Sequence, residues 1–413
     1  METAELCLVN IGCLATPLGA AARAGAAQGE IRLLRDAAVA VAGGRVVYAG
    51  PAGGAPDAAR VFDCGGRLVT PGLVDAHTHL IFGGWRQREL ALRLSGASYL
   101  DILRGGGGIL STVTHTRAAT EDALVDKGRA LLGDMLRHGT TTCECKSGYG
   151  LDLETELKQL RAARRLQDLQ PVTLVPTFLG AHAVPAEFSD RRADYVNFVC
   201  DVALPRVADL SLASFCDVFC DVGAFTADES ARILARAASL GLGLKAHVDE
   251  LEDGGGAALA ARAGCVSAEH LIRASGDGIR ALARAGVIAC LLPATSFYLD
   301  KPYAPARDMV AAGVAVAVAT DFNPGSSPNL NLQFAMQLAC LRGGLTPEEV
   351  LTAATLNAAA ALRLSGEAGT LEPGKWADLV LWNAPDLPYL LYRYGTNLVH
   401  RVVKNGMFVT ARL

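Results

Sequence analysis

Short, nearly continuous apolar runs alternate with longer segments of helical period through residues 70–368. The runs Leu73–Asp75, Thr140–Cys145, Val172–Phe178, Ser214–Cys220, Gly243–His247, Val266–Glu269, Val287–Leu292 and Val314–Ala319 have strand length. They show little polar alternation, as strands buried on both faces do. Between them, Leu153–Asp168, Asp228–Leu240, Gly254–Ala263 and Asp277–Ala285 carry their apolar residues on one helical face. Eight strands alternating with helices over about 300 residues predict a (β/α)8 TIM-like barrel of the α/β class. A doubly wound open sheet is the rival topology.

The two ends have a different texture. Residues 32–50 read as two strands around Gly43-Gly44, and Val61–Val69 reads as a further strand with Gly65-Gly66 inside it. Ala377–Trp382 and His400–Thr410 are again strand-like, the latter with an Asn405-Gly406 hairpin signal. Pairing these pieces gives one small β domain made from both termini, residues 1–69 and 369–413, with the barrel of residues 70–368 inserted in it.

Composition narrows the class. Hydrophobic residues make up 51% and charged ones 19%, which excludes disorder and requires a sizeable core. The net charge of −4 comes without a basic stripe, so no nucleic-acid partner is expected. The 44 glycines and 17 prolines follow no period of three and imply many tight connections. The acidic start Met1-Glu2-Thr3-Ala4-Glu5 lacks the basic region of a secretory signal, and no uncharged apolar run approaches the ~18 residues of a membrane span. Eleven cysteines, an odd number, suit a reducing, cytoplasmic compartment. Cys143/Cys145 and Cys216/Cys220 have no matching second pair and read as core residues.

The strong polar clusters stand at the C-terminal ends of the expected strands, where barrel enzymes build their sites. The first strand ends in Asp75-Ala76-His77-Thr78-His79, whose two-residue spacing puts both imidazoles on one face. His247, His270 and Asp321 end three later strands. Imidazoles with one carboxylate form a ligand set for zinc or ferrous iron. His115, His138 and His400 have no such position. Gly369–Lys375 fits a phosphate-loop spacing, but Trp376 stands where a hydroxyl must hold magnesium. The Gly105–Gly108 run follows a helix-like segment and lacks dinucleotide spacing.

The stretch Pro71-Gly72-Leu73-Val74-Asp75-Ala76-His77-Thr78-His79 resembles the first-strand signature of the amidohydrolase superfamily. Gly369–Leu381 resembles the return into that superfamily's composite β-sandwich. Further segments are similar to one branch of it. They are Phe82-Gly83-Gly84 with Arg86, Gly106-Gly107-Gly108-Ile109 with Ser111-Thr112-Val113, Glu144–Glu156 with its Lys146-Ser147-Gly148-Tyr149-Gly150-Leu151 core, Gly180-Ala181-His182, His247 with Asp249-Glu250-Leu251, and Thr320–Gly325.

The resemblance implies a metal-dependent hydrolase that opens the cyclic amide of 4-imidazolone-5-propanoate to N-formimino-L-glutamate in histidine degradation. It implies one divalent ion, zinc or iron, on His77, His79, His247 and Asp321, which lowers the pKa of water toward ~7 to give hydroxide. Lys146 is read as supporting the Ser147–Tyr149 loop, not as a carboxylated bridge between two metals. Substrate contacts fall on Arg86, Tyr149, His182, Glu250, Asn323, Gly325 and Ser326, with Tyr99 a weaker candidate. Asp321 takes and passes on the proton, His270 polarises the carbonyl, and Glu250 hydrogen-bonds the ring nitrogens. Arg86 offers a planar fork for the substrate carboxylate. Trp85 and Thr114-His115 depart from the branch's usual residues and bear on substrate preference. A homodimer acting on a small molecule, with no membrane partner, completes the picture. The alternatives are a different cyclic amidase or aminohydrolase of the superfamily, and a non-catalytic scaffold, which would be expected to lose the metal ligands.

Overall fold

Strands buried on both faces need a neighbouring backbone along each edge, and a closed barrel supplies one to every strand. A computed structural model describes residues 4–96 and 106–409 of the chain. Tyr99, Gly105 and Thr410 therefore lie outside the described residues. The N-terminal strands are β1 (Leu6–Ile11), β2 (Cys13–Thr16), β3 (Arg32–Leu34), β4 (Ala37–Ala42), β5 (Arg45–Pro51), β6 (Val61–Asp63) and β7 (Leu68–Pro71). The barrel strands follow: β8 (Leu73–Asp75), β9 (Thr140–Lys146), β10 (Thr173–Ala181), β11 (Phe215–Cys220), β12 (Gly243–Val248), β13 (Ser267–His270), β14 (Ile288–Leu291) and β15 (Val316–Val318). The C-terminal strands are β16 (Leu379–Trp382), β17 (Val399–Lys404) and β18 (Met407–Phe408).

Strands β8 to β15 form one parallel sheet in sequential order. It closes beyond its last strand, where Thr78 bridges Phe322, His79 N–H donates to the Phe322 carbonyl at 2.9 Å, and Asp321 N–H donates to the His77 carbonyl at 3.0 Å. The closure thus runs through the residues that carry the candidate chemistry. All eight expected strands and all four expected helices form, with ends shifted by at most three residues. The helix Ala227–Ser239 shows why: it buries Ser230, Ile233, Leu234 and Ala237 on one face, and a Thr226/Glu229 capping box satisfies its first turn.

The ends depart further from expectation. Residues 32–50 contain three strands, and Val61–Val69 contains two. They belong to different sheets: a four-stranded one in the order β5-β4-β1-β6, and a six-stranded one in the order β18-β17-β16-β7-β2-β3. The N-terminal chain crosses between the sheets three times, at Gly12, at Arg35-Asp36 and at Gly65-Gly66. A Cβ on Gly12 would lie 2.0 Å from the Gly66 carbonyl oxygen, so only glycine allows the first and last of these crossings to touch. The six-stranded sheet joins both termini through antiparallel β7 and β16, and Leu8, Leu14, Val41, Val69, Leu379 and Val403 fill the space between the sheets. Asn405 and Gly406 both have positive φ, 48° and 76°, in the two-residue turn between β17 and β18.

Candidate metal centre and active site

Every candidate site residue except the weaker substrate candidate Tyr99 lies among the described residues, and these converge at the C-terminal mouth of the barrel. His77 Nε2 and His79 Nε2 each lie 3.4 Å from Asp321 Oδ1, and His247 Nε2 lies 3.4 Å from His79 Nε2. His270 belongs to the same cluster: one ligand atom each from His77, His270 and Asp321 falls within 4.8 Å, as for His77, His79 and His247. All five side chains are buried.

The donor chemistry fits a divalent ion. His77 Nε2 is buried and has no hydrogen-bond partner, although a carboxylate oxygen faces it. On the far sides of the rings, His77 Nδ1 bonds Glu269 Oε2 at 2.9 Å and His247 Nδ1 stands 3.0 Å from Asp217 Oδ2. Carboxylates at Nδ1 leave Nε2 as the ligand atom. Burial and Lys146 oppose a charge on His77, but Asp321 and Glu269 outweigh them and raise its pKa to about 9. Burial holds His79 and His247 below the ordinary histidine value. Asp321 stays well below the usual carboxylate range because His77 and His79 outweigh its burial. The cluster therefore attracts positive charge at its centre.

The backbone is bent to present these groups. His270, Leu271, Asp249 and Asp321 have φ of 69°, 58°, 51° and 53°, a left-handed conformation that costs non-glycine residues energy and concentrates at functional sites. Asp75 anchors the last strand by accepting from Thr320 N–H at 3.0 Å and Thr320 Oγ1 at 2.6 Å, and Thr295 Oγ1 donates to Asp321 Oδ2 at 2.6 Å. Glu250 Oε2 lies 3.5 Å from His270 Nε2. Its turn is held by Asp221, whose Oδ2 accepts from Glu250 N–H at 2.8 Å and Leu251 N–H at 2.9 Å.

Around the candidate metal centre stand the expected substrate residues. His182 stacks on His79 with ring centroids 5.0 Å apart, and the Tyr149 ring lies 5.8 Å from His79 and 5.4 Å from His182. Burial and the neighbouring His79 lower the His182 pKa to about 3, so it is neutral. Arg86 is no surface residue: its guanidinium forks onto Glu89 at 2.9 and 2.8 Å and lies on Gly325, where a Cβ would sit 2.1 Å from Nη1. Asn323 Oδ1 accepts from the N–H groups of Gly325 and Ser326 at 2.8 and 2.7 Å and fixes that loop. The Trp85 indole leans on Phe82 and Phe322 at the mouth, whereas the exposed Thr114 gives its hydroxyl to the Leu110 carbonyl of its own helix.

One expectation is corrected. Lys146 does not support the Ser147–Tyr149 loop through its side chain; its ammonium binds Asp217 at 2.6 Å and Glu144 at 2.8 Å inside the barrel. The loop hangs instead on Glu156, which accepts from the N–H groups of Gly148, Gly150 and Leu151, and on Gln159, which accepts from Tyr149 N–H. Glu144, Asp217, Lys245 and Glu269 were not foreseen. For Lys245 and Glu144 the signal was a charge in a strand at two-residue spacing from a residue of interest, His247 and Lys146, whereas Asp217 and Glu269 showed only as a charge in a strand. All eleven cysteines are free thiols, ten of them buried, and none joins a metal-binding group among the described residues.

The Amidohydrolase family pattern matches residues 68–409. The chain is 51% identical over 408 residues to an imidazolonepropionase of Bacillus velezensis, covering 98% of this chain and 97% of that protein. It is 45% identical over 402 residues to an imidazolonepropionase of Thermoanaerobacter pseudethanolicus, covering 97% of each. Among solved structures, a triazine hydrolase variant superposes with a TM-score of 0.75 at 19% identity, covering 99% of this chain and 95% of that one. A zinc-bound adenosine deaminase from Xanthomonas campestris does so with a TM-score of 0.71 at 21% identity, covering 98% and 93%. These last two share the fold. The chain belongs to the amidohydrolase family, within its imidazolonepropionase branch.

Proposed function

We propose that the chain hydrolyses the ring amide of 4-imidazolone-5-propanoate to N-formimino-L-glutamate, a step of histidine degradation. The observation that carries this reading is the convergence of His77, His79, His247 and Asp321 beside the Glu250–His270 pair, in a chain about half identical to imidazolonepropionases. These four ligands would hold one divalent ion, zinc or iron. When bound, such an ion supplies Lewis acidity and lowers the pKa of water from 15.7 toward ~7.

The chain's own residues do the rest. The water oxygen bonds to the ring carbonyl carbon, the amide carbon–nitrogen bond breaks, and the nitrogen leaves with a proton. Both Asp321 oxygens are engaged, Oδ1 toward the histidines and Oδ2 by Thr295. Glu250, whose pKa burial raises, is the carboxylate suited to hold the water's proton and return it to the leaving nitrogen. His270 donates to the developing oxyanion. The flat ring lies against Tyr149 and His182, and the Asn323–Ser326 loop meets its polar edge. Arg86 turns from Glu89 to the propanoate. We place the sandwich–barrel junctions at residues 69/70 and 368/369, and the enzyme, with its free thiols, in the cytoplasm as a homodimer.

Freshly generated 4-imidazolone-5-propanoate should lose its ultraviolet absorbance when the metal-loaded enzyme is added. Turnover of hydantoins or aminopurines in its place would overturn the assignment. Arg86→Ala should raise KM about 10–100-fold with kcat little changed, since a charged hydrogen-bond pair contributes about 1.5–3 kcal/mol. An imidazolone without the propanoate tail should be turned over equally by both enzymes; an equal loss with that substrate would remove Arg86 from the tail.

A further inference from the structure

Inside the barrel, beneath the ligand cluster, lie five charged side chains that the reaction does not use: Glu144, Lys146, Asp217, Lys245 and Glu269. None exposes any surface. Lys146 Nζ lies 2.6 Å from Asp217 Oδ2 and 2.8 Å from Glu144 Oε2. Lys245 Nζ lies 3.3 Å from Glu144 Oε1, 3.3 Å from Glu269 Oε1, and 3.2 Å from the Ala76 carbonyl oxygen to which it donates. Thr177 Oγ1 donates to Glu144 Oε1 at 2.6 Å. The outer carboxylates reach the imidazoles, Asp217 at 3.0 Å from His247 Nδ1 and Glu269 at 2.9 Å from His77 Nδ1. The path is unbroken: His247, Asp217, Lys146, Glu144, Lys245, Glu269, His77.

Charge alternates at every step of that path between the two rings. Three carboxylates against two ammoniums leave one negative charge, and Asp321 adds another, which a divalent ion balances. Such a chain is costly to bury and offers little net stability. Its effect falls instead on the rings: Lys146 shares Asp217 Oδ2 with His247, Lys245 takes the Glu269 oxygen opposite the one on His77, and so each ammonium fixes where its carboxylate points and each carboxylate fixes a ring.

We infer that Lys146 and Lys245 are positioning residues for the metal centre, holding Asp217 and Glu269 as acceptors on His247 and His77 so that both Nε2 lone pairs face the ion. This rests on the metal reading of the site. The test is zinc binding by the apo-protein in competition with a chromophoric chelator. Lys146→Met with Glu144→Gln removes one charge of each sign and leaves Asp217 beside His247; Lys245→Met with Glu144→Gln does the same for Glu269 and His77. Each pair should keep the apo-protein's Tm and near-ultraviolet circular dichroism yet bind zinc about 10–100-fold more weakly. Folded variants with wild-type zinc affinity would overturn the inference and leave the metal reading standing. A wild-type chain that takes up no zinc would overturn both. Should the pairs fail to fold, nitrogen-15 spectra of histidine-labelled wild-type apo-protein decide: Nδ1–H tautomers at His77 and His247 support the inference, and Nε2–H tautomers refute it.

Discussion

Asp321→Asn should abolish turnover while leaving a folded barrel. The backbone of Asp321 closes the sheet by donating to the His77 carbonyl, and asparagine keeps that bond and the left-handed φ of 53° it can tolerate. The side chain is another matter. Oδ1 stands 3.4 Å from both His77 and His79, so an amide either removes the negative charge from a metal ligand or turns N–H groups onto two imidazole nitrogens. Metal-assisted hydrolysis draws several kcal/mol from the bound ion. At 1.36 kcal/mol per decade, the loss in kcat is about a thousandfold or more. Steady-state assays with zinc in excess, beside circular dichroism of the same sample, check it. Near-normal turnover in the folded variant would sink the metal-dependent reaction.

The barrel was legible because its strands are buried on both faces, which writes several of them as apolar runs such as Ile288–Leu291 and Val316–Val318. The candidate ligands were legible because His77 and His79 repeat at the strand period and His247 and Asp321 end strands, as the oxyanion candidate His270 also does. The terminal sheets were harder. Val61–Val69 reads as one strand because nothing local marks Gly65-Gly66 as a crossing between sheets; that depends on Gly12, more than 50 residues earlier, resting on the Gly66 carbonyl. β1 and β2 went unread for the same reason. Lys146 was misassigned because proximity along the chain suggested the loop it precedes, whereas its inward strand position aims it at Asp217, 71 residues away. A charge in a strand marks such a residue, but which partner barrel closure gives it leaves no local trace.

Glu250→Gln should lower kcat about 10²–10⁴-fold with KM and metal content nearly unchanged. The amide keeps the shape of the carboxylate, and the turn that aims it stays in place because Asp221 holds backbone N–H groups, not the Glu250 side chain. Only the capacity to take a proton goes. Burial raises the Glu250 pKa, with the neighbouring His270 opposing it, so the carboxylate is present above that raised value and is lost as pH falls through it. The acid limb of kcat/KM should therefore lie above the ~4.3 of an ordinary glutamate. That limb should vanish in the glutamine variant, and a variant that keeps both its rate and its limb would move the proton to His270. The substitution separates the two proposed roles, His270 donating to oxygen and Glu250 carrying the proton to nitrogen, of side chains that lie 3.5 Å apart. If both acted on one proton, His270→Ala in the glutamine background would cost nothing further; two independent roles require the losses to multiply.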